Sequence, residues 1–306
     1  MDKKYLIKRV FHLIKNESLK NIIKKLFRYL FYSLKIDLDK INFEYNDNLD
    51  NLFIRFGTDK GSIDSKKIYE FKYKNKNKFK NYYDWINRKD LKEEEFHLGL
   101  NSSKIYEEKF KNKKNDKIKI LEIGVANGHS IASWQQYFKK GIIYGIDIKD
   151  KQSFFYKSKR IKYFQLDIFQ KKQIISFLKK NGPFDFIIDD SLHEERAILQ
   201  NFENFFPSLK NNGIYFIEDF KVLDHFKERV IKYNYENKAK YMHSNPHTIK
   251  EILEFLNKKK NFKNPFLDFN SQNKLFNLIS DVEIFDAEES HSAGHPFASI
   301  GIIYKK

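Results

Sequence analysis

The chain has 306 residues, no cysteine and a formal net charge of +17. That length allows one large domain with a full core, or one domain with appendages, and the missing cysteine excludes disulfides, thiolate metal sites and cysteine nucleophiles. The lysines are spread along the whole chain, which reads as a solvated basic surface and not as a nucleic-acid footprint.

Residues 1–45 read as a basic helical extension. In "YLIKRVFHLIKNESLKNIIKKLFRYLFYSL", apolar residues recur at three- and four-residue spacing between lysines. The stripe suits docking on protein, with peripheral contact to an anionic membrane face as the alternative. It lacks a small-residue cleavage site, so no secretory signal is expected. No run of about 20 uncharged apolar residues occurs anywhere, so no membrane span is expected either, and the composition fits a cytoplasmic protein. Residues 46–115 read as an N-terminal cap region. It holds a polar glycine-bearing loop, "FGTDKGS" (Phe56 to Ser62), followed by a lysine- and aromatic-rich stretch.

Regular alternation begins after Asp116. Strands are expected at Lys117–Gly124, Ile142–Ile148, Ile161–Phe169, in "FDFIIDD", and at Gly213–Phe220, with helices at "HSIASWQQYFKK", "QKKQIISFLKKN" and "ERAILQNFENFFPSLK". Apolar strands separated by helices predict a mostly parallel α/β sheet covered on both faces. The last two strands, "DVEIFDAEE" and "FASIGIIYKK", are joined by a connection too short for a crossover helix, so they should pair antiparallel at the sheet edge. Residues 221–280 read as a helical insertion, long enough to cover an active site. Residues 116–306 are thus read as one domain.

Open α/β sheets bind ligands beyond the carboxyl ends of their strands. The first strand ends in "LEIGVANGHS", with Glu122, Gly124 and Gly128. This is neither a Walker loop nor G-x-G-x-x-G. The second strand ends in Asp147, where a carboxylate can accept both hydroxyls of a ribose. The third ends in Asp167 and Ile168, suited to an adenine amino group beside an apolar wall. Each acid singly is more often a helix cap or a solvated loop residue. Jointly, the sequence resembles the class I S-adenosylmethionine-dependent methyltransferases, a Rossmann-like fold with an antiparallel last strand. The resemblance implies that Glu122, Gly124 and Gly128 line the methionine and ribose side, Asp147 the ribose, and Asp167 with Ile168 the adenine.

In that fold the fourth and fifth strands are neighbours, which places Asp189 and Asp190 near Glu218 and Asp219. Four carboxylates together call for a cation, and oxygen-only ligands favour Mg²⁺ over Zn²⁺. A metal there would orient a substrate hydroxyl and lower its pKa, with His193 placed to take the proton. The pattern "DDSLH" followed by "IEDF" is similar to the metal-dependent sugar O-methyltransferases of macrolide biosynthesis and to related cephalosporin-pathway enzymes. That similarity implies Asp190, Glu218 and Asp219 as metal ligands, His193 as the base, and Asp189 nearer the methionyl end of the cofactor. "FGTDKGS" resembles a loop of this group that closes over cofactor and substrate, with Thr58 and Lys60 as contacts. On the residues alone, Ser191 and Glu194 also spell a capping box, and Glu218-Asp219 an ordinary polar strand exit. His243, His247, His291 and His295 are assigned no role.

The expectation is an S-adenosyl-L-methionine- and Mg²⁺-dependent O-methyltransferase acting on the hydroxyl of a sugar or sugar nucleotide. It is expected to be homo-oligomeric, with no nucleic-acid partner. The rival readings are a nucleic-acid methyltransferase, and a non-catalytic cofactor-binding scaffold.

Overall fold

The structure, a computed structural model, describes residues 35–41, 48–58, 60–61, 102–150, 154–221, 247–286 and 299–306. In chain order the described elements begin with β1 (Ile36–Asp37), α1 (Leu49–Phe56), α2 (Ser102–Phe110), β2 (Lys119–Ile123), α3 (His129–Tyr137), β3 (Ile142–Asp147) and β4 (Tyr156–Lys157). They continue with β5 (Ile161–Gln165), α4 (Lys171–Asn181), β6 (Phe184–Asp189), α5 (Glu195–Phe205) and β7 (Leu209–Glu218). The chain closes with α6 (Ile249–Asn257), α7 (Phe269–Leu278), β8 (Ile279–Asp286) and β9 (Ser299–Lys305). The N-terminal stripe, the lysine- and aromatic-rich stretch of the cap region, residues 222–246 with His243, and the segment with His291 and His295 lie outside the described residues.

Seven strands form one sheet in the order β5-β3-β2-β6-β7-β9-β8. The first five are parallel, while β9 runs antiparallel to both β7 and β8. This is the Rossmann-like methyltransferase arrangement. The chain moves outward from β2 to β3 and β5, then returns to β6 on the other side. The switch point therefore lies between β2 and β6, where the strand ends can flank a ligand.

Side chains alternate across the sheet, except at irregularities such as the bulge in β8 between Ile279 and Asp281. On one face Ile120, Phe186, Ile188, Phe216, Ile300 and Ile302 meet α1, α2 and α3. On the other, Leu121, Ile123, Ile187, Tyr215, Ile217 and Ile303 meet α4 to α7. The period of two assigns the terminal acids before any contact is considered. Glu122 and Glu218 fall on the α1–α3 face, and Asp189 on the opposite one.

Several boundaries differ from the sequence reading. β5 stops at Gln165 instead of reaching Phe169, because the Leu166 N–H still bonds Asp147 O and the Asp167 carboxylate then accepts from the Phe169 N–H, turning the chain. β7 begins at Leu209, four residues early, once Pro207 and a short 3-10 turn have ended the preceding helix. In the region read as helical extension, Ile36–Asp37 instead pairs parallel with β4, and Leu38 is buried in the same core as α1 and α3. α1 and α2 of the cap region share that core, through edge-on contacts of Phe53 with Tyr106 and Trp134. Within the expected covering insertion, α6 and α7 bury Ile252, Leu253, Leu256 and Leu275 against the sheet.

Candidate active site

The loop "FGTDKGS" starts where α1 ends. Gly57 adopts the left-handed conformation, φ 67°, that ends a helix at little cost without a Cβ, and the Thr58 N–H closes the turn onto Phe53 O at 3.1 Å. Lys60 then enters the protein at the carboxyl ends of β6 and β7, only 3% exposed. Its ammonium donates to Asp190 Oδ2 and Glu218 Oε2, each at 2.5 Å. The other oxygen of Glu218, Oε1, accepts from the Tyr106 hydroxyl. Tyr106 is fully buried, and burial together with the Glu218 charge holds its hydroxyl well above the ordinary phenol range, so it stays a donor. Lys60 was expected as a cofactor or substrate contact; Tyr106 carries no sequence signal beyond an aromatic in a lysine-rich helix.

His193 sits in the loop between β6 and α5. Its Nδ1 is 3.2 Å from the carbonyl oxygen of Glu218, and since a carbonyl only accepts, Nδ1 carries the proton in the neutral ring. Nε2 is then the basic nitrogen, 3.7 Å from Asp190 Oδ1. The capping box is not formed. α5 starts at Glu195 with no side-chain cap, and the Ser191 hydroxyl donates to Asp189 Oδ1 at 2.7 Å instead. His193 is thus held by the end of β7, not by a helix. Asp219 follows with φ 49°, a left-handed conformation costing a non-glycine residue about 1 kcal/mol, and its N–H donates to Ser299 O at 2.7 Å.

Asp189 is not brought together with these groups. Its carboxylate, 3% exposed, lies on the opposite face and accepts from Asn201 Nδ2 at 3.1 Å and from the Tyr215 hydroxyl at 3.2 Å. Burial raises its pKa to about 6.

Around the switch point, Glu122 is fully buried, with Oε2 accepting from Trp134 Nε1 at 3.0 Å. Its Oε1 has no hydrogen-bond partner among the described residues, and burial, partly offset by the Lys60 charge, lifts its pKa to about 7. Gly124, at φ 84°, lies where a Cβ would stand 2.2 Å from Asp190 O. The glycine is required because the β2 and β6 loops touch there. Gly128 precedes α3 and lies against the Phe154 ring. Asp147 accepts from the N–H groups of Val125, Ala126 and Lys149 at 2.7–2.9 Å, so two of its roughly four lone-pair sites hold the glycine loop, a third closes the turn after β3, and one remains for a ligand. Asp167 and Ile168 are half-buried just beyond β5.

These positions allow a test of fit for the two expected cofactors. An unpartnered buried carboxylate oxygen on Glu122, beside a glycine turn and Asp147, suits the ammonium and ribose of S-adenosylmethionine. For a divalent ion the donors are of the right kind, and Asp190 and Glu218 already converge on one cation. Here that cation is the Lys60 ammonium, and no group of three His, Cys, Asp or Glu side chains is gathered for a metal among the described residues. Asp219 does not complete the trio in this arrangement.

The family model described as "Methyltransferase domain" matches residues 121–220. These residues are a methyltransferase domain. The segment carries every strand-end acid discussed above. The chain is 34% identical over 113 residues to mycinamicin VI 2''-O-methyltransferase of Micromonospora griseorubida, covering 35% of this chain and 28% of that protein. With demethylmacrocin O-methyltransferase of Streptomyces fradiae it shares 32% over 113 residues, at the same coverage. The match to L-olivosyl-oleandolide 3-O-methyltransferase of Streptomyces antibioticus is 32% identical and spans 29% of that protein. The matched methyltransferase segment thus spans under a third of these relatives. Among solved structures, the methyltransferase MycE of the mycinamycin biosynthetic pathway, in complex with Mg, SAH and mycinamycin VI, superposes with a TM-score of 0.54. It is 19% identical and the alignment covers 85% of this chain and 54% of that one, a likeness of fold. No described helix is long and apolar enough to cross a membrane.

Proposed function

We propose that the protein is an S-adenosylmethionine- and Mg²⁺-dependent O-methyltransferase acting on a sugar hydroxyl, within a nucleotide-linked sugar or surface glycan precursor. The observation that carries this reading is the convergence of Asp190, Glu218 and His193 at the ends of β6 and β7, one strand from the buried acceptor Glu122. The names of the relatives, all sugar or macrolide O-methyltransferases, support the same substrate chemistry.

Glu122 would hold the donor's ammonium, and Asp147 its ribose through the lone-pair site left over. Asp190 and Glu218, with Asp219 beside them, would hold Mg²⁺, whose charge favours ionisation of a bound hydroxyl. Tyr106 fixes Glu218, so that Oε2 faces Asp190. His193, its Nδ1–H tied to Glu218 O, presents Nε2 as the general base. A bound S-adenosylmethionine would supply the methyl group and leave as the neutral thioether, with Nε2 of His193 placed to take the proton of the substrate oxygen.

The test is turnover of candidate sugar nucleotides with S-adenosylmethionine, measured with and without Mg²⁺. Loss of general-base catalysis in His193→Ala should lower kcat by roughly 10²–10⁴-fold. Full activity after exhaustive chelation, or in that variant, would overturn the mechanism.

A further inference from the structure

Lys60 joins the two carboxylates of the site. Its side chain is 2% exposed, against 23% for Asp190 and 8% for Glu218, so most of the triad is shielded from solvent. A buried ammonium is stable only when carboxylates match it, and removing one partner of such a pair is strongly destabilising. The two oxygens that match it, Asp190 Oδ2 and Glu218 Oε2, are those that face each other, because the Tyr106 hydroxyl occupies Glu218 Oε1.

We propose that Lys60 is the resident counter-ion of this site, and that a divalent ion binds by displacing its ammonium from Asp190 Oδ2 and Glu218 Oε2. The inference rests on the metal-dependent reading above and deepens it. Mg²⁺ needs its oxygen ligands at about 2.0–2.1 Å, and an ammonium hydrogen-bonded to the same two oxygens stands where the ion must go. The two cations are alternative occupants. Without metal, Lys60 prevents the carboxylates from repelling each other and splaying apart. With metal, the released side chain leaves on the short turn after Gly57, while α1 stays anchored by Leu52, Phe53 and Phe56, each fully buried. The apparent metal affinity is then the intrinsic affinity scaled by the fraction of molecules with Lys60 displaced.

The experiment uses Mn²⁺ as the probe, with free ion measured by electron paramagnetic resonance on the full chain without methyl donor. Lys60→Met and Lys60→Gln, each checked for folding by circular dichroism, should bind Mn²⁺ at least about tenfold more tightly than the wild type, as expected if Lys60 is displaced in a tenth of molecules or fewer. Because neutralising a lysine also strengthens cation binding through space, a second measurement needs no variant. Reductive methylation of Lys60 in the wild type, followed by mass spectrometry, should accelerate when Mn²⁺ saturates the site. Unchanged or weaker affinity in the folded variants, or labelling that saturating Mn²⁺ leaves unmoved, overturns the displacement while leaving the metal-dependent reading intact. Absence of Mn²⁺ binding in wild type and variants alike overturns both.

Discussion

Asp189 and Glu218 end adjacent parallel strands, and both are almost fully buried, 3% and 6% exposed, yet they are stabilised in opposite ways. Asp189 is satisfied by neutral donors from Ser191, Asn201 and Tyr215 on the face covered by α4 to α7. Glu218 is satisfied by a cation and by the Tyr106 hydroxyl on the face covered by α1 to α3. The first arrangement closes a carboxylate into the core; the second leaves it exchangeable, because one cation can replace another. A strand-end acid serves chemistry when its partner can be exchanged, and serves the fold when its partners are built into the sheet and its helices.

Among the carboxylates, the largest effect is expected from Asp190→Asn. Losing one of two converging carboxylates should lower methyl transfer by roughly 10²–10³-fold, and Mn²⁺ titration should show the affinity falling with it. If activity survives, the exchangeable face is not the catalytic one.

A second test concerns Glu122, whose folded pKa is raised from 4.5 to about 7. The folded state then binds more protons than the unfolded one between those values, so this group's contribution to stability is present below about pH 4.5 and lost as pH rises to about 7. Shifts of this size correspond to about 3 kcal/mol. Urea denaturation at pH 4.5 and 7 should show the wild type losing that much relative to Glu122→Gln; parallel profiles would remove Glu122 as a strained acceptor.

Asn201→Ala strips two hydrogen bonds from Asp189 and should cost about 1–3 kcal/mol at neutral pH, read as a lowered urea midpoint. Methyl transfer per folded molecule should fall less than tenfold, and a catalytic collapse would contradict the separation of faces. A comparable effect should come from Tyr106→Phe, which leaves Glu218 Oε1 without its donor. A supporting contact of this kind is worth about 10–100-fold in metal affinity, measurable by the same Mn²⁺ titration.

Much of the fold was legible in local patterns. Apolar runs spaced by helices specify a parallel sheet, and a polar link too short for a helix specifies the antiparallel β8–β9 edge, both as found. The ends of elements were less legible, since β5 is stopped by a side-chain turn at Asp167 and β7 is extended past Asn211 and Asn212. Within the site, the convergence of Asp190, Glu218 and His193 follows from adjacent strand ends, and Glu122 from the glycine turn. Ser191 shows the limit. Its sequence neighbours spell a cap, but its hydroxyl is turned to Asp189, to which it donates, and to Asn201, from which it accepts.

The sequence by itself determined which residue types stand at which strand ends, because a period of two and a chain of βα units leave few placements for them. Only the tertiary structure decided which helices cover each acid and what neutralises it. The Lys60–Glu218 and Tyr106–Glu218 contacts span 158 and 112 residues, and such pairings arise from packing three helices onto one face of a sheet, which no local pattern encodes.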